Sequence, residues 1–439
     1  MSTQSCRPTR TQRLDIRCNV ADAMNANVAV HIVLFFNRRL NVDALGLALA
    51  RALTTMPMFA GRMTMRDGGT RIRCYGQGVP FTSASSDCTL DDAIRSLTQD
   101  SGDWLIDPVN GFAARWGFGP LCKIRVTDLA GGATAIGVSW HHLVGDMQTL
   151  MIFMRAWAAA AAGQSIAEPL IVEDRASYLD EQLPAGGASE PNVRCLGFGE
   201  LGRSARYLAK NARTQRTVSF YFGDDELARM RDTYGSRMRL SANDVVCAHV
   251  CELLMSADPA TETRTLAIAV NLRNRCGLDP MLVGNMVTVV KFDLRRSETA
   301  RSTAERIRQC VDHFADEHCD IRVNQRFLDT AGRWRGARCV AAAFDLAQWN
   351  PVITNWSGFG VYRLRFEDTY TAYCAPLMKV PVAGVGIVVE GAEGRGLIFQ
   401  MTLPPKDFEA MCSPAIRERM HKFRRADDDI PRLHREIHG

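Results

Sequence analysis

Apolar residues along the chain alternate between short unbroken runs and longer stretches at helical spacing. VAVHIVLFF at 28–36 is a β-branched and aromatic run that predicts a strand, and VDALGLALARALTTM at 42–56 repeats its apolar positions as one face of a helix. RIRCYG at 71–76, after the turn at Gly68–Gly69, predicts a further strand. LCKIRVTDL at 121–129 and ATAIGVSW at 133–140 flank Gly131–Gly132 and predict a hairpin. The chain then passes through His141 and His142 into a helix that begins near Asp146 and stops at Gly163.

PAGGASEP at 184–191 has little to bury and the composition of a flexible connection, so a boundary is expected there. The division is 1–183, a linker or crossover at 184–215, and 216–439. Alternation resumes with a strand RTVSFYF (216–222), a helix opened by Asp224, and a second opened by Ser241, where Asp244 three residues on completes a capping-box pattern. TLAIAVNLR (265–273), MVTVVKFDL (286–294), PVITNW (351–356) and VYRLRF (361–366) read as strands, and VPVAGVGIVVE with LIFQMTL as a hairpin around 391–396. No repeat of 20–50 residues is visible, which argues against a solenoid or propeller. The alternation predicts an α/β protein, and 439 residues suffice for two cores.

A net charge of +5 is too small to argue for nucleic acid, though it helps attract an anionic donor. The arginine-rich start has no apolar stretch behind it, and no run reaches the roughly 20 apolar residues of a membrane span, so neither a secretory signal nor an anchor is expected. Fourteen cysteines without a CxxC pair suit free thiols in a reducing cytoplasm. Cys247, His249 and Cys251 share one helix and read as buried filling in preference to a metal site; no metal is expected. The mixed-sign tail HKFRRADDDIPRLHREIHG reads as a solvated end.

The chemistry concentrates in Ser139-Trp140-His141-His142-Leu143-Val144-Gly145-Asp146, a strand-to-helix turn. Neighbouring strand residues face opposite sides, so only one histidine can look into a cleft. His142 is four residues from Asp146, and an imidazole with an unperturbed pKa of about 6.5 can take a proton from a hydroxyl or amine. Taken alone, HxxxD more often marks a structural histidine.

The surrounding segments raise its weight. GGATAIGVSWHHLVGD with the following MQTLMIFMRAWAAAAAG, PMFAGRM (57–63), RIRCYGQGVPF (71–81), VNLRNRCGLDPMLVGNMV (270–287) with Gly284-Asn285, TNWSGFGVYRLRF (354–366) and LPPKDFEAM (403–411) resemble, in order, the motifs of the BAHD acyltransferases. The resemblance spans roughly 25–412 and departs twice. Met147 stands where the family usually has glycine, and the DFGWG motif is reduced to Arg365-Phe366-Glu367-Asp368-Thr369.

The resemblance implies two chloramphenicol acetyltransferase-like domains, each a mixed sheet flanked by helices, with the active-site channel at their interface. His142 would be the general base midway along it. An acyl-CoA would be the donor substrate and a small-molecule alcohol or amine the acceptor, with no permanently bound cofactor. Asp146 would be structural, paired with Arg273 or Arg275, which lie two apart on an expected strand and hence on one face. Thr354 and Trp356 share a strand face by the same period, and one of them would stabilise the oxyanion. Ser241, at a helix start, would meet donor phosphates, with capping alone as the plainer reading. Two rivals stay open. The doublet His141-His142 with Asp146 also resembles the HHxxxD core of peptide-synthetase condensation domains, whose donor rides on a carrier protein. The other rival is a non-catalytic binding protein on the same fold.

Overall fold

The computed structural model describes residues 1–66, 69–98, 102–235, 238–336, 338–345, 348–378 and 380–438, so Gly68 of the expected turn lies outside the described residues. Two six-stranded sheets carry the architecture. The first runs Ser2–Cys6, Val79–Ser85, Cys122–Leu129, Ala133–His141, Ala29–Phe36, Tyr373–Pro376 in spatial order. The second runs Arg216–Phe222, Leu397–Leu403, Val385–Glu390, Val352–Asn355, Thr263–Asn271, Val287–Arg295. Both are mixed: Val79–Ser85 is parallel to Cys122–Leu129, and Val352–Asn355 is parallel to both its neighbours. Helices flank each sheet, which makes the chain an α/β protein of two sheet layers. One strand crosses between the halves of the chain, since Tyr373 pairs with Phe35 and Pro376 with Ile32.

The strand Ala133–His141 is buried at all nine positions and ends at the histidines. Gly137 lets it lie against the segment at 105, because a Cβ there would stand 2.0 Å from the Leu105 carbonyl oxygen. The next helix, Met147–Ala161, buries eleven of its fifteen side chains, as expected of a helix apolar nearly all round. It packs on Val42–Thr55, where the Trp157 indole N–H donates to the Leu45 carbonyl at 2.9 Å. In the second half Ser241 caps Ala242–Ala257: its Oγ accepts from the Asp244 N–H at 3.2 Å, and its own N–H donates to the Asp244 carboxylate at 2.8 Å. On that helix Cys247, His249 and Cys251 are buried, and the two nitrogens of His249 meet the Tyr234 hydroxyl at 3.0 Å and the Met420 carbonyl at 2.9 Å.

Several expectations are corrected. The run at 265–273 is a strand only to Asn271, whose side-chain oxygen accepts from the Arg273 N–H at 3.1 Å and starts the helical turn Leu272–Arg275. VYRLRF is not one strand but the 3-10 turn Val361–Arg363 followed by the two-residue strand Arg365–Phe366. Its apolar side chains fold into the first core, with the Phe366 ring 5.0 Å from Trp157 and 5.7 Å from Phe36, and that packing overrides strand propensity. The stretch 184–215 holds the strand Val193–Cys195, paired with Cys339–Ala341, and the helix Phe198–Thr214. The tail is docked and not solvated: His434 stacks on Tyr221 at 4.1 Å, Arg229 pairs with Asp428, and His421 and Arg424 meet the buried Glu226. Among the described residues no helix is long and apolar enough to cross a membrane.

Candidate active site

After His141 the chain makes a 3-10 turn, His142–Val144, and Gly145 leads to Asp146, the N-cap of Met147–Ala161. The Trp140 indole N–H closes the turn on the Gly145 carbonyl at 3.1 Å. The two histidines part company here. His141 is fully buried; its Nδ1 accepts from the Leu143 N–H at 3.2 Å, so Nε2 carries the hydrogen and donates to the Gly111 carbonyl at 3.2 Å. Burial pulls its pKa down to about 4. His142 is half-buried, its N–H donates to the Val28 carbonyl at 2.8 Å, and its Nδ1 is enclosed with no hydrogen-bond partner among the described residues.

Asp146 turns away into a polar pocket. Arg273 grips it in two places, Nη1 on Oδ2 at 2.8 Å and Nη2 on Oδ1 at 3.3 Å. The N–H groups of Thr149 and Met286 each donate to it at 3.0 Å. Burial pushes its carboxyl upward, but the Arg273 charge and these donors outweigh that and hold it below the usual carboxylate range. Arg275 goes elsewhere, 3.6 Å from the surface Asp312. The two arginines do not share a face, because on a helical turn positions two apart diverge by about 200°.

A second buried pair stands on the other side of the turn, and sequence reasoning missed it. Arg175 and Asp22, both with fully buried side chains, meet at 2.9 Å. Asp22 also accepts from the Asn285 N–H at 3.0 Å and its side-chain amide at 2.8 Å, and the same amide donates to the His142 carbonyl at 2.7 Å. Arg175 donates to the Val144 carbonyl at 3.3 Å. Gly284 joins the two clusters: its carbonyl accepts from the Thr149 hydroxyl at 2.9 Å, and a Cβ at its φ of +133° would lie 2.8 Å from the Arg175 Nε. The local part was readable, since Asn19 and Asp22 form a capping box three residues apart. Arg175 lies 153 residues further on, and nothing nearby marks it.

Thr354 lies on the strand Val352–Asn355, and Trp356 one residue beyond, its N–H donating to the Val388 carbonyl at 2.8 Å. The Trp356 ring is 6.3 Å from Trp140. A cavity of about 10 Å³, lined by Met147, Trp356, Val361, Tyr362 and Cys374, lies beside this pair and has room for about one water. Ser241 makes its side-chain hydrogen bond within its own capping box, and none reaches the turn among the described residues.

Two mixed sheets, a half-buried histidine on a strand-to-helix turn, and a buried carboxylate-guanidinium pair binding that turn to the second half of the chain define an acyltransferase of two similar halves. The family model described as Transferase family matches residues 4–414. Acyl transferase 10 of Oryza sativa subsp. japonica is 26% identical over 365 residues, 78% of this chain and 73% of that protein. In fold the chain is similar to vinorine synthase, with a TM-score of 0.71 at 16% identity over 93% of this chain and 95% of that one. It is also similar to F. graminearum TRI101 complexed with ethyl coenzyme A, with a TM-score of 0.73 at 12% identity over 93% and 99%. The chain belongs to the Transferase family, the BAHD acyltransferases.

Proposed function

We propose that His142 is the general base of an acyl transfer from acyl-CoA to the hydroxyl or amine of a small molecule. The observation that carries the reading is the division of labour at the doublet. His141 is buried with both ring nitrogens engaged, whereas His142 is half-buried with its peptide held by Asn285 and its turn held by Asp146 and Arg273. Its Nδ1 is enclosed, which leaves Nε2 to face a substrate. In the reaction, Nε2 takes the acceptor proton as the oxygen or nitrogen attacks the thioester carbonyl. The tetrahedral oxyanion then collapses, the carbon–sulfur bond breaks, and the CoA sulfur leaves with the proton returned from His142. The Thr354 hydroxyl and the Trp356 indole N–H, on and just beyond the strand Val352–Asn355, are the donors proposed for the oxyanion; losing one such donor typically costs about 10²–10³ in rate.

The donor is a soluble acyl-CoA, a reading supported by the ethyl coenzyme A in the TRI101 complex. The proposed division remains 1–183 and 216–439 joined by 184–215, with Tyr373–Pro376 lent back to the first sheet. A cytoplasmic setting remains part of the proposal, resting on fourteen cysteines without a CxxC pair. The experiment compares H142A, H141N, T354A and W356F, each verified as folded, in one assay with acyl-CoA and a panel of alcohols and amines. H142A should lose about 10²–10⁴ in kcat while H141N keeps most of it. An active H142A, or equal loss in both histidine variants, overturns the assignment. Offering the same acyl group on a carrier protein tests the condensation-type rival, which higher turnover efficiency from the carrier would favour.

A further inference from the structure

The strand Val385–Glu390 supplies one wall of the small cavity beside Trp356 through Val389. Val389 stands two residues beyond Ile387, which pairs with Thr354 on the neighbouring parallel strand. Paired positions and positions two apart share a face of a sheet, so Val389, Ile387 and Thr354 look the same way. That face turns toward the first half of the chain, since Ile387 and Val389 pack in the core of the first sheet, whereas Val388 between them packs in the core of the second.

Met147 closes the cavity from the histidine turn. It is the first residue of Met147–Ala161, directly after Asp146, and is 5% exposed. Val361, on its 3-10 turn, and Cys374, on the strand Tyr373–Pro376 of the first sheet, add to the wall. The space left is about 10 Å³, enough for a water or a methyl group and little more. The polar groups around it are engaged with one another. The Tyr362 hydroxyl donates to the Glu390 carbonyl and accepts from the Cys374 N–H, both at 3.3 Å, and the Glu390 carboxylate accepts from the Gly358 N–H at 3.1 Å. Burial pushes the Cys374 thiol up to about 12, so it packs as a small apolar group and is no thiolate nucleophile. A group entering this space gains by apolar contact, and only a short one fits.

We propose that this cavity seats the acyl chain of the donor, and that Met147, with Val361 and Val389, restricts the donor to acetyl-CoA and its next homologue. The inference rests on the proposed placing of the acyl carbonyl at Thr354 and Trp356. With the carbonyl oxygen at those donors, the carbon chain attached to it continues into the space beside Trp356. A methyl group enters without displacing a side chain, whereas each further methylene has to push Met147 or Val361 aside. One methylene too many in an apolar pocket lowers kcat/KM by about 10–200-fold. Met147 is the part of the wall that can be shortened most, and truncating a large apolar side chain to alanine leaves a void on the order of 150 Å³ that takes up apolar guests.

The test compares the full-length wild type with M147A, M147L and V361A, using acetyl-CoA, butyryl-CoA and hexanoyl-CoA. Binding is measured by calorimetry, and kcat/KM with whichever alcohol or amine is turned over. The wild type should bind acetyl-CoA about tenfold or more tightly than hexanoyl-CoA and use it at least about 100-fold more efficiently. M147A should bind and transfer the hexanoyl group about tenfold or more better than wild type while transferring acetyl less well, and M147L, which keeps the volume, should retain the acetyl preference. V361A widens the same space from a different element, so the comparison stands even if M147A fails to fold. The calorimetric arm needs no turnover: absence of transfer in every assay would refute the role given to His142, and the binding profile would still decide the cavity. A wild type that binds and uses hexanoyl-CoA as well as acetyl-CoA overturns the proposal, and so does an unchanged chain-length profile in M147A and V361A.

Discussion

Replacing Asp146 by asparagine isolates the charge that joins the histidine turn to the second half of the chain. The pair is almost wholly buried, with the Arg273 and Asp146 side chains 0% and 5% exposed. Asparagine keeps an oxygen for the Thr149 N–H and so preserves the helix cap, but its amide nitrogen would confront the donors of Arg273 and Met286. Breaking one side of a buried pair costs about 3–5 kcal/mol, because the other charge stays buried and uncompensated. R273M should cost a similar amount, since Asp146 loses its counter-charge and the carbonyls of Leu282 and Gly284 lose a donor. The double variant removes both charges and should cost far less than the sum, with a coupling of about 3 kcal/mol. At about 2–4 °C per kcal/mol for a domain of this size, each single variant should melt roughly 10 °C lower. The pH dependence gives a second reading. The folded carboxyl is held below its usual range, so its stabilisation is complete above the unfolded value of about 3.9 and disappears as pH falls through the lower folded value. The melting gap between wild type and D146N should therefore be constant from pH 8 to 5 and narrow below about 4. Additive single-variant costs, or a D146N protein as stable as wild type, would refute the reasoning.

D22N should also cost about 3–5 kcal/mol, because it strands the fully buried Arg175, and by freeing Asn285 from its anchor it should lower kcat more than it raises KM for acyl-CoA; an unchanged melting point sinks this. G284A should lose about 1–3 kcal/mol by overpacking against Arg175, as read from urea midpoints, and tolerance of alanine would show that Arg175 can shift. His141, His249 and His434 are all pushed by burial to about 4, so the unfolded chain takes up protons below about 6.5 that the folded one refuses until about 4. Stability should be level above pH 6.5 and fall between 6.5 and 4, and H249Q should flatten that slope by about 1 kcal/mol per pH unit; an unchanged slope in urea titrations from pH 7.5 to 4.5 excludes His249 as a contributor.

Elements that depend on neighbours a few residues away were legible in the chain. The run 28–36 became the strand Ala29–Phe36, the hairpin around Gly131–Gly132 formed as expected, and Ser241 with Asp244 capped the helix that their spacing announced. The α/β class and the family followed because strand and helix periods, caps and ordered motifs are written in consecutive residues. Periodicity failed where distant packing outweighed it. VYRLRF has strand composition, yet Phe366 is drawn between Trp157 and Phe36, and the charged tail docks because its partners Glu226, Arg229 and Tyr221 lie about two hundred residues earlier. The two strand-mates Arg273 and Arg275 became a buried anchor and a surface ion pair because Asn271 ended the strand before either. For the support of His142, the resemblance offered Arg273 or Arg275 to Asp146 and the folded molecule chose between them, whereas the Asp22–Arg175 pair belongs wholly to the folded molecule. Asp146 and Arg273 are 127 residues apart and Asp22 and Arg175 are 153, and no local pattern specifies such pairs. They form because a charge taken out of water must find its opposite wherever the chain has brought one.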